Sequence, residues 1–233
     1  MRCTALALVF AHAFAAQRGE LHRMAVTFNA CSKKGSDINV VAFLDATEAY
    51  CKLLSKWGKF VGPSVGNVRG CIQKVQTARR ALNKETKTKL ASLHDLLTCE
   101  KPIHKPNAVL ADPSAAMGIL WIRRGLEYWA DVFEQQVEQL KKKQTSTSLA
   151  EQMAIAYKRT TQQFHGWVSR RAFSAALGMT PDWSVVRKRA GLPETDEALR
   201  KELKELAVAC RELCERLRKL QVSLELEDMR RSV

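Results

Sequence analysis

Glycine and proline are scarce, 11 and 6 residues in a chain of 233. That excludes collagen-like and Pro/Gly-rich linker compositions. Alternating apolar–polar runs are few, so the usual signature of a sheet protein is missing too. Leu, Ala, Lys, Arg and Glu dominate instead, which predicts an all-α fold. No segment approaches the ~18 continuous apolar residues of a membrane-spanning helix. Acids are outnumbered, 24 Asp and Glu against 38 Lys and Arg, for a formal charge of +14. The excess permits attraction to any polyanion, nucleic acid or anionic bilayer alike, and does not choose between them. Its clusters, "KKK" at 141–143 and "RKR" at 187–189, fit solvated helix ends.

The seven cysteines are scattered and odd in number, which is no disulfide framework and fits a reducing compartment. Cys210 and Cys214 stand four apart on a predicted helix, with no neighbouring His or Cys to complete a zinc site. Paired catalytic carboxylates, a phosphate-cradling glycine loop and a metal cluster are also missing, and a hydrolase is not expected. The reading is of a non-enzyme without cofactor or metal.

The first 36 residues read as an N-terminal extension. "MRCTALALVFAHAFAAQ" has one Arg, an apolar run and small residues, in the manner of a signal or transit peptide, while Met24 offers a second start. Residues 37–233 read as one domain. Helices are expected over "INVVAFLDATEAYCKLLSKWGKF", then, after a break at "VGPS", over "VGNVRGCIQKVQTARRAL". Others are expected at about 85–100, 114–142, 149–178 and 182–190, with a Pro-containing loop at 101–113. The last, capped by Thr195 and Asp196, carries Leu199, Leu203, Leu206, Cys210, Leu213, Leu217, Leu220 and Leu224 at heptad spacing to about 228. That seam suits either a coiled-coil homodimer or packing within the chain.

"ILWIRRGLEYWADVF" (119–133) is apolar on more than one side. At 100° per residue Ile119, Ile122, Leu126, Trp129 and Phe133 form one stripe. Met117, Trp121, Tyr128 and Val132 form a second, beside Gly125. One apolar face attaches a helix to a core; the second needs something else to bury.

Three stretches resemble the glycolipid transfer protein family: "ILWIRRGL" (119–126), "AYKRTTQQFHGWVSRRAFSAAL" (156–177) and "NVRGCIQKV" (67–75). "FLDATEAY" and "LASLHDLLTCEK" support the match, which covers roughly residues 40–190. The resemblance implies a two-layer α-helical sandwich holding one sphingolipid, chains in an apolar cavity and head group at a polar surface site. The amide and head-group residues it implies are Asn67, Cys71, Lys74, Trp121 and His165. It assigns the cavity lining to Met117, Tyr128, Val132 and Phe173, and bilayer docking to Trp167 and Arg171. Asn67 stands where the family has the Asp that accepts from the ceramide amide N–H, which implies a weaker bond, and Cys71 where it has a sugar-binding Asn, which implies an altered sugar contact. Trp121 is the family's sugar-stacking residue, and phosphate-carrying relatives have an Arg there. Taken singly, His165, Trp121, Asn67 and Lys74 would read as structural or solvated; their joint spacing gives them weight.

The sequence reading is therefore a sphingolipid carrier, glycosylceramide favoured, cytoplasmic and peripherally membrane-associated. One alternative is ceramide-1-phosphate transfer or sphingolipid sensing on the same fold, through Lys74, Arg123 or Arg124. The other is a basic helical scaffold or nucleic-acid binder, which leaves the second apolar stripe without a purpose.

Overall fold

The computed structural model describes residues 19–31, 37–143 and 147–231. It is helical, and no β-strand occurs among the described residues. The helices are α1 Glu20–Cys31, α2 Val40–Ser55, α3 Gly62–Thr86, α4 Leu93–Glu100 and α5 Ala115–Lys142. They continue with α6 Leu149–Thr160, α7 Trp167–Gly178, α8 Trp183–Arg189 and α9 Asp196–Ser223. Single 3₁₀ turns precede α3, follow α4 and follow α6.

Most starts are set by local side-chain chemistry. Asn39 Oδ1 accepts from the Ala42 N–H at 3.0 Å, and Ser92 Oγ from the Asp95 N–H at 3.0 Å. Ser148 and Glu151 form a reciprocal capping box on α6. The start of α5 lies in the interior and needs more. Ser114 Oγ takes the Met117 N–H at 3.0 Å, and the buried Glu100 carboxylate takes those of Ala115 and Ala116 at 2.6 and 2.7 Å. A carboxylate thus faces the positive end of a 28-residue helix.

α5 is the spine. It packs on α9, α3 and α6, while α1 lies against α9 and α2. Trp57, Trp129, Phe133, Leu93, Leu96 and Leu97 are among its fully buried neighbours or members.

Four sequence expectations are corrected, and one alternative is decided. The supposed extension contains α1, whose Leu21, Met24, Ala25, Phe28 and Cys31 form one buried face in the main core. Burying Leu21 and Phe28 is worth about 1.5–3 kcal/mol each. Glu202 of α9 holds the entry to α1 by accepting from the Gly19 N–H at 2.6 Å. The leader-like stretch itself, residues 1–17, lies outside the described residues. Second, the first expected helix ends at Ser55 rather than at Phe60, and Pro63 of the expected break already stands in the first turn of α3, where its missing N–H falls among the unpaired donors. Third, the helix expected from 85 starts at Leu93, because Lys87 adopts a left-handed conformation (φ 54°) and ends α3.

Fourth, the helix expected over 149–178 is two helices. It breaks at Thr161–Gly166, where Gln162–Phe164 form a 3₁₀ turn and His165 is extended. Arg170 stabilises the break, its Nε donating to the His165 carbonyl at 2.9 Å and an Nη to that of Gln162 at 3.1 Å. Of the two uses open to the heptad seam, packing inside the chain is the one observed. Leu199, Leu203, Leu206, Cys210, Leu213 and Leu217 are buried against α1 and α5, and α9 ends at Ser223. A homodimer through that seam would require unpacking the core.

Candidate functional site

A cavity of about 230 Å³ lies between α3, α5, α6 and α7. Its outer part meets exposed Asn67 of α3, half-buried Trp121 of α5 and half-buried His165 of the α6–α7 break. Further in are Val68, Tyr128, Trp129, Met153 and Phe173. Polar groups at the rim and apolar ones inside are the layout of a site for an amphipathic molecule.

α5 answers the question of its second stripe. Trp121, Gly125 and Tyr128 line the cavity, as does Trp129 from the first stripe. Met117 and Val132 do not; Val132 is fully buried in the core and Met117 packs partly against it. At Gly125 the nearest atom to an added β-carbon would be Val68 Cγ2 at 3.6 Å, so the cavity wall has room there. At Gly118 the β-carbon would lie 2.8 Å from the Cys71 carbonyl oxygen and 2.9 Å from Val75 Cγ2. The two helices therefore need glycine at 118 to approach as closely as they do.

His165 is held on several sides. Its ring stacks on Trp121 (centroids 5.2 Å apart, 26° between planes), and Nδ1 hydrogen-bonds to the Tyr157 hydroxyl at 3.0 Å. Tyr157 in turn stacks on Phe173 at 3.7 Å. Burial, then the positive charges of Arg124 and Arg170, holds the imidazole below its ordinary pKa. It is neutral at pH 7. In the tautomer whose Nδ1 accepts from the Tyr157 O–H, Nε2 carries the proton and is the donor left for a ligand.

Behind this pair sits Arg124. Its guanidinium lies 3.5 Å from the Phe164 ring centroid and 5.0 Å from that of Trp121, and donates to the Asp228 carbonyl. Its Nε is buried without a hydrogen-bond partner. Desolvation, with Arg123 next to it, lowers its pKa to about 10, so it stays charged at pH 7. Arg123 is already committed, to Glu127 at 2.9 Å, Glu227 at 2.5 Å and Gln221 at 3.2 Å. No group of three or more His, Cys, Asp or Glu among the described residues could hold a metal ion.

The remaining predicted site residues divide. Asn67, Trp121 and His165 come together, with Tyr128 and Phe173, around one cavity. Cys71 does not line it. The residue is buried at the α3–α5 crossing, where burial pushes its thiol up to about 11 and keeps it a neutral, inert thiol. Lys74 is outside the cavity as well, paired with Asp112 at 2.5 Å. Trp167 (69% exposed) and Val168 (64%) project at the start of α7, with Arg171 5.0 Å from the Trp167 ring.

Two features went unread in the sequence. Met153, Tyr157 and Ser169 also line the cavity, and only their spacing around the α6–α7 break would have signalled it. Residues 62–66 also spell G-x-S-x-G, the nucleophile motif of some hydrolases. That motif works on a strand-to-helix turn. Here Ser64 sits in the first turn of α3 and accepts from the Trp129 indole N–H at 3.2 Å. His165 lines the same cavity, but its Nδ1 partner is a tyrosine rather than a carboxylate.

Comparison with known proteins gives a consistent result. The model of the family described as "Glycolipid transfer protein (GLTP)" matches residues 38–191. Glycolipid transfer protein A of Xenopus laevis is 23% identical over 159 residues, 68% of this chain and 73% of that protein. Human pleckstrin homology domain-containing family A member 8 is 30% identical over 155 residues, 64% of this chain and 26% of that protein. Human ceramide-1-phosphate transfer protein bound to 12:0 ceramide-1-phosphate has TM-score 0.73 and 17% identity, over 89% of this chain and 98% of that one. The fungal glycolipid transfer protein HET-C2 has TM-score 0.66 and 22% identity, over 84% and 91%. The fold is the helical sandwich of these transfer proteins, and the chain, matched over more than half its length, belongs to the glycolipid transfer protein family.

Proposed function

We propose that this protein is a non-catalytic carrier that binds one sphingolipid and moves it between membranes. The observation that carries the reading is the cavity whose rim holds Asn67, Trp121 and His165 and whose interior is apolar and aromatic. A hydrocarbon chain leaving a bilayer through water loses about 0.8 kcal/mol per methylene, so a carrier must offer a replacement apolar space. At about 230 Å³ the cavity is smaller than the ~300–1,000 Å³ of ligand pockets, so it must widen. α7 is the wall that can yield, since only Ala176 of its 12 residues is fully buried.

Head-group recognition follows from the rim. His165 Nε2 donates to the ceramide amide carbonyl, and the Asn67 side-chain oxygen accepts from the amide N–H. Trp121, braced by His165 and Arg124, supplies a flat face for a sugar, which favours glycosylceramide. Lys74 reaches the head group only by exchanging its partner Asp112. Trp167 and Val168 with Arg171 form the bilayer-docking edge, apolar groups for the acyl boundary beside a cation for lipid phosphate.

A second reading, ceramide-1-phosphate as cargo, rests on Arg124, a charged group beside Trp121 with a spare N–H. Vesicle-to-vesicle transfer of galactosyl-, lactosyl- and phospho-ceramide, side by side, separates the two. Faster transfer of the glycosylated lipids supports the first reading and phosphate-dependent transfer the second. No transfer of any of the three ends both.

A further inference from the structure

Tyr128 differs from the other polar residues of the cavity wall: Ser64 and Tyr157 have hydrogen-bond partners there and its own hydroxyl has none. It lines the cavity, is only 6% exposed, and its hydroxyl is buried without a hydrogen-bond partner. The ring is fixed by aromatic edges, Trp129 at 5.2 Å and Phe173 at 6.0 Å between centroids, so the hydroxyl cannot easily swing to a partner elsewhere. An unpaired buried hydroxyl weakens a folded protein, and phenylalanine would fill the same space without that penalty.

A second buried tyrosine gives the contrast. Tyr50 also has an unpaired hydroxyl, but it lines a separate void of about 10 Å³. That is room for about one water molecule. The Tyr128 hydroxyl instead belongs to a side chain on the wall of the cavity assigned above to hydrocarbon.

Depth along α5 says which part of a ligand meets it. Tyr128 is seven residues beyond Trp121, about 10 Å along the helix axis at 1.5 Å per residue. Its backbone position is therefore about two helical turns deeper than Trp121, beside which the amide is placed at His165. We propose that Tyr128 is a specificity-determining residue for lipids whose buried hydrocarbon chain carries a hydroxyl group near its middle. The tyrosine O–H and the chain hydroxyl satisfy each other, and a plain chain leaves both the site and its selectivity unused. The inference rests on the carrier reading, since it requires a chain in this cavity.

The test compares three glycosylceramides with one head group and one acyl length: plain, hydroxylated at the carbon next to the carbonyl, and hydroxylated at mid-chain. Binding to the full-length wild-type protein and to Tyr128→Phe is measured for each. The wild type should prefer the mid-chain hydroxyl over the plain chain by about tenfold, one buried hydrogen bond's worth. Tyr128→Phe should lose that preference, and its melting temperature without lipid should not fall. Tyr50→Phe should leave the preference intact. No wild-type preference for the mid-chain hydroxyl, or equal weakening of all three lipids in Tyr128→Phe, overturns the proposal while leaving the carrier reading standing. Binding of none of the three by the wild type removes both.

Discussion

Filling the cavity from Gly125 should make the protein no less stable and unable to carry lipid. The wild-type glycine sits in the middle of α5, where it is about 0.8 kcal/mol less favourable than leucine. The nearest atom to its missing β-carbon is 3.6 Å away, an ordinary contact, and the cavity beyond is about 230 Å³. Burying a leucine there adds about 1.5–3 kcal/mol. Misfit against Val68 and Trp129 subtracts about 1–3 kcal/mol. The net for Gly125→Leu lies between about −0.7 and +2.8 kcal/mol, with a mid-range gain of about 1 kcal/mol. At about 2–4 °C per kcal/mol for a chain of this size, the melting temperature should rise by about 2–4 °C at mid-range and fall by no more than about 3 °C. The leucine occupies space that about four chain methylenes need, each worth about 0.8 kcal/mol. Lipid affinity should therefore fall by about 100-fold. Differential scanning fluorimetry and vesicle transfer on the same preparation read both numbers. A stable variant that still transfers at the wild-type rate would refute the placement of the chain. A melting temperature lowered by several degrees would refute the claim that the wall has room.

Gly118→Ala should behave in the opposite way. Its β-carbon meets the Cys71 carbonyl oxygen at 2.8 Å, so a misfit of about 1–3 kcal/mol outweighs the ~1 kcal/mol helix gain, and thermal melting should show a loss of up to about 2 kcal/mol. Trp121→Ala should reduce transfer of glycosylceramide by at least about tenfold while melting within a few degrees of the wild type, since this half-buried ring packs mainly at the rim; equal transfer rates would remove it from the site. His165→Leu should abolish extraction of any ceramide-based lipid, whatever its head group, in the same vesicle assay. The same variant tests the imidazole's environment. Because burial, Arg124 and Arg170 depress the His165 pKa, the folded chain binds fewer protons there than the unfolded chain, whose histidine titrates near about 6.5. The stability it contributes is present above that value and lost as pH falls through the folded pKa, so His165→Leu should melt with a flatter pH profile below about 6.5.

The rim was legible in the sequence because its three residues lie in stretches whose local pattern is strong. Asn67, Trp121 and His165 stand in the segments that carry the family likeness, and they meet at one cavity. The two-sided α5 was legible from periodicity alone, as was the leucine seam of α9. What the pattern could not give was the partner of each face. The α9 seam has the spacing of a coiled coil, yet it packs on α5 and α1, which lie 50 or more residues away in the chain. The break at 161–166 was hidden because Thr161, Gln162 and Gln163 are acceptable helix residues; a tertiary contact, Phe164 against Arg124, holds the turn. α1 was missed because its buried face has only five members and follows a leader-like run. Cys71 and Lys74 share a helix face with Asn67 at the level of spacing, but the close crossing at Gly118 buries the one and Asp112 engages the other.

The central claim is tested most directly by a structure of this protein with a bound glycosylceramide. The account predicts hydrocarbon between α3, α5, α6 and α7 in contact with Tyr128 and Met153, with the amide carbonyl within hydrogen-bonding distance of His165 Nε2 and the sugar against Trp121. A lipid lying on the outer surface, with that interior seam still closed, would contradict it.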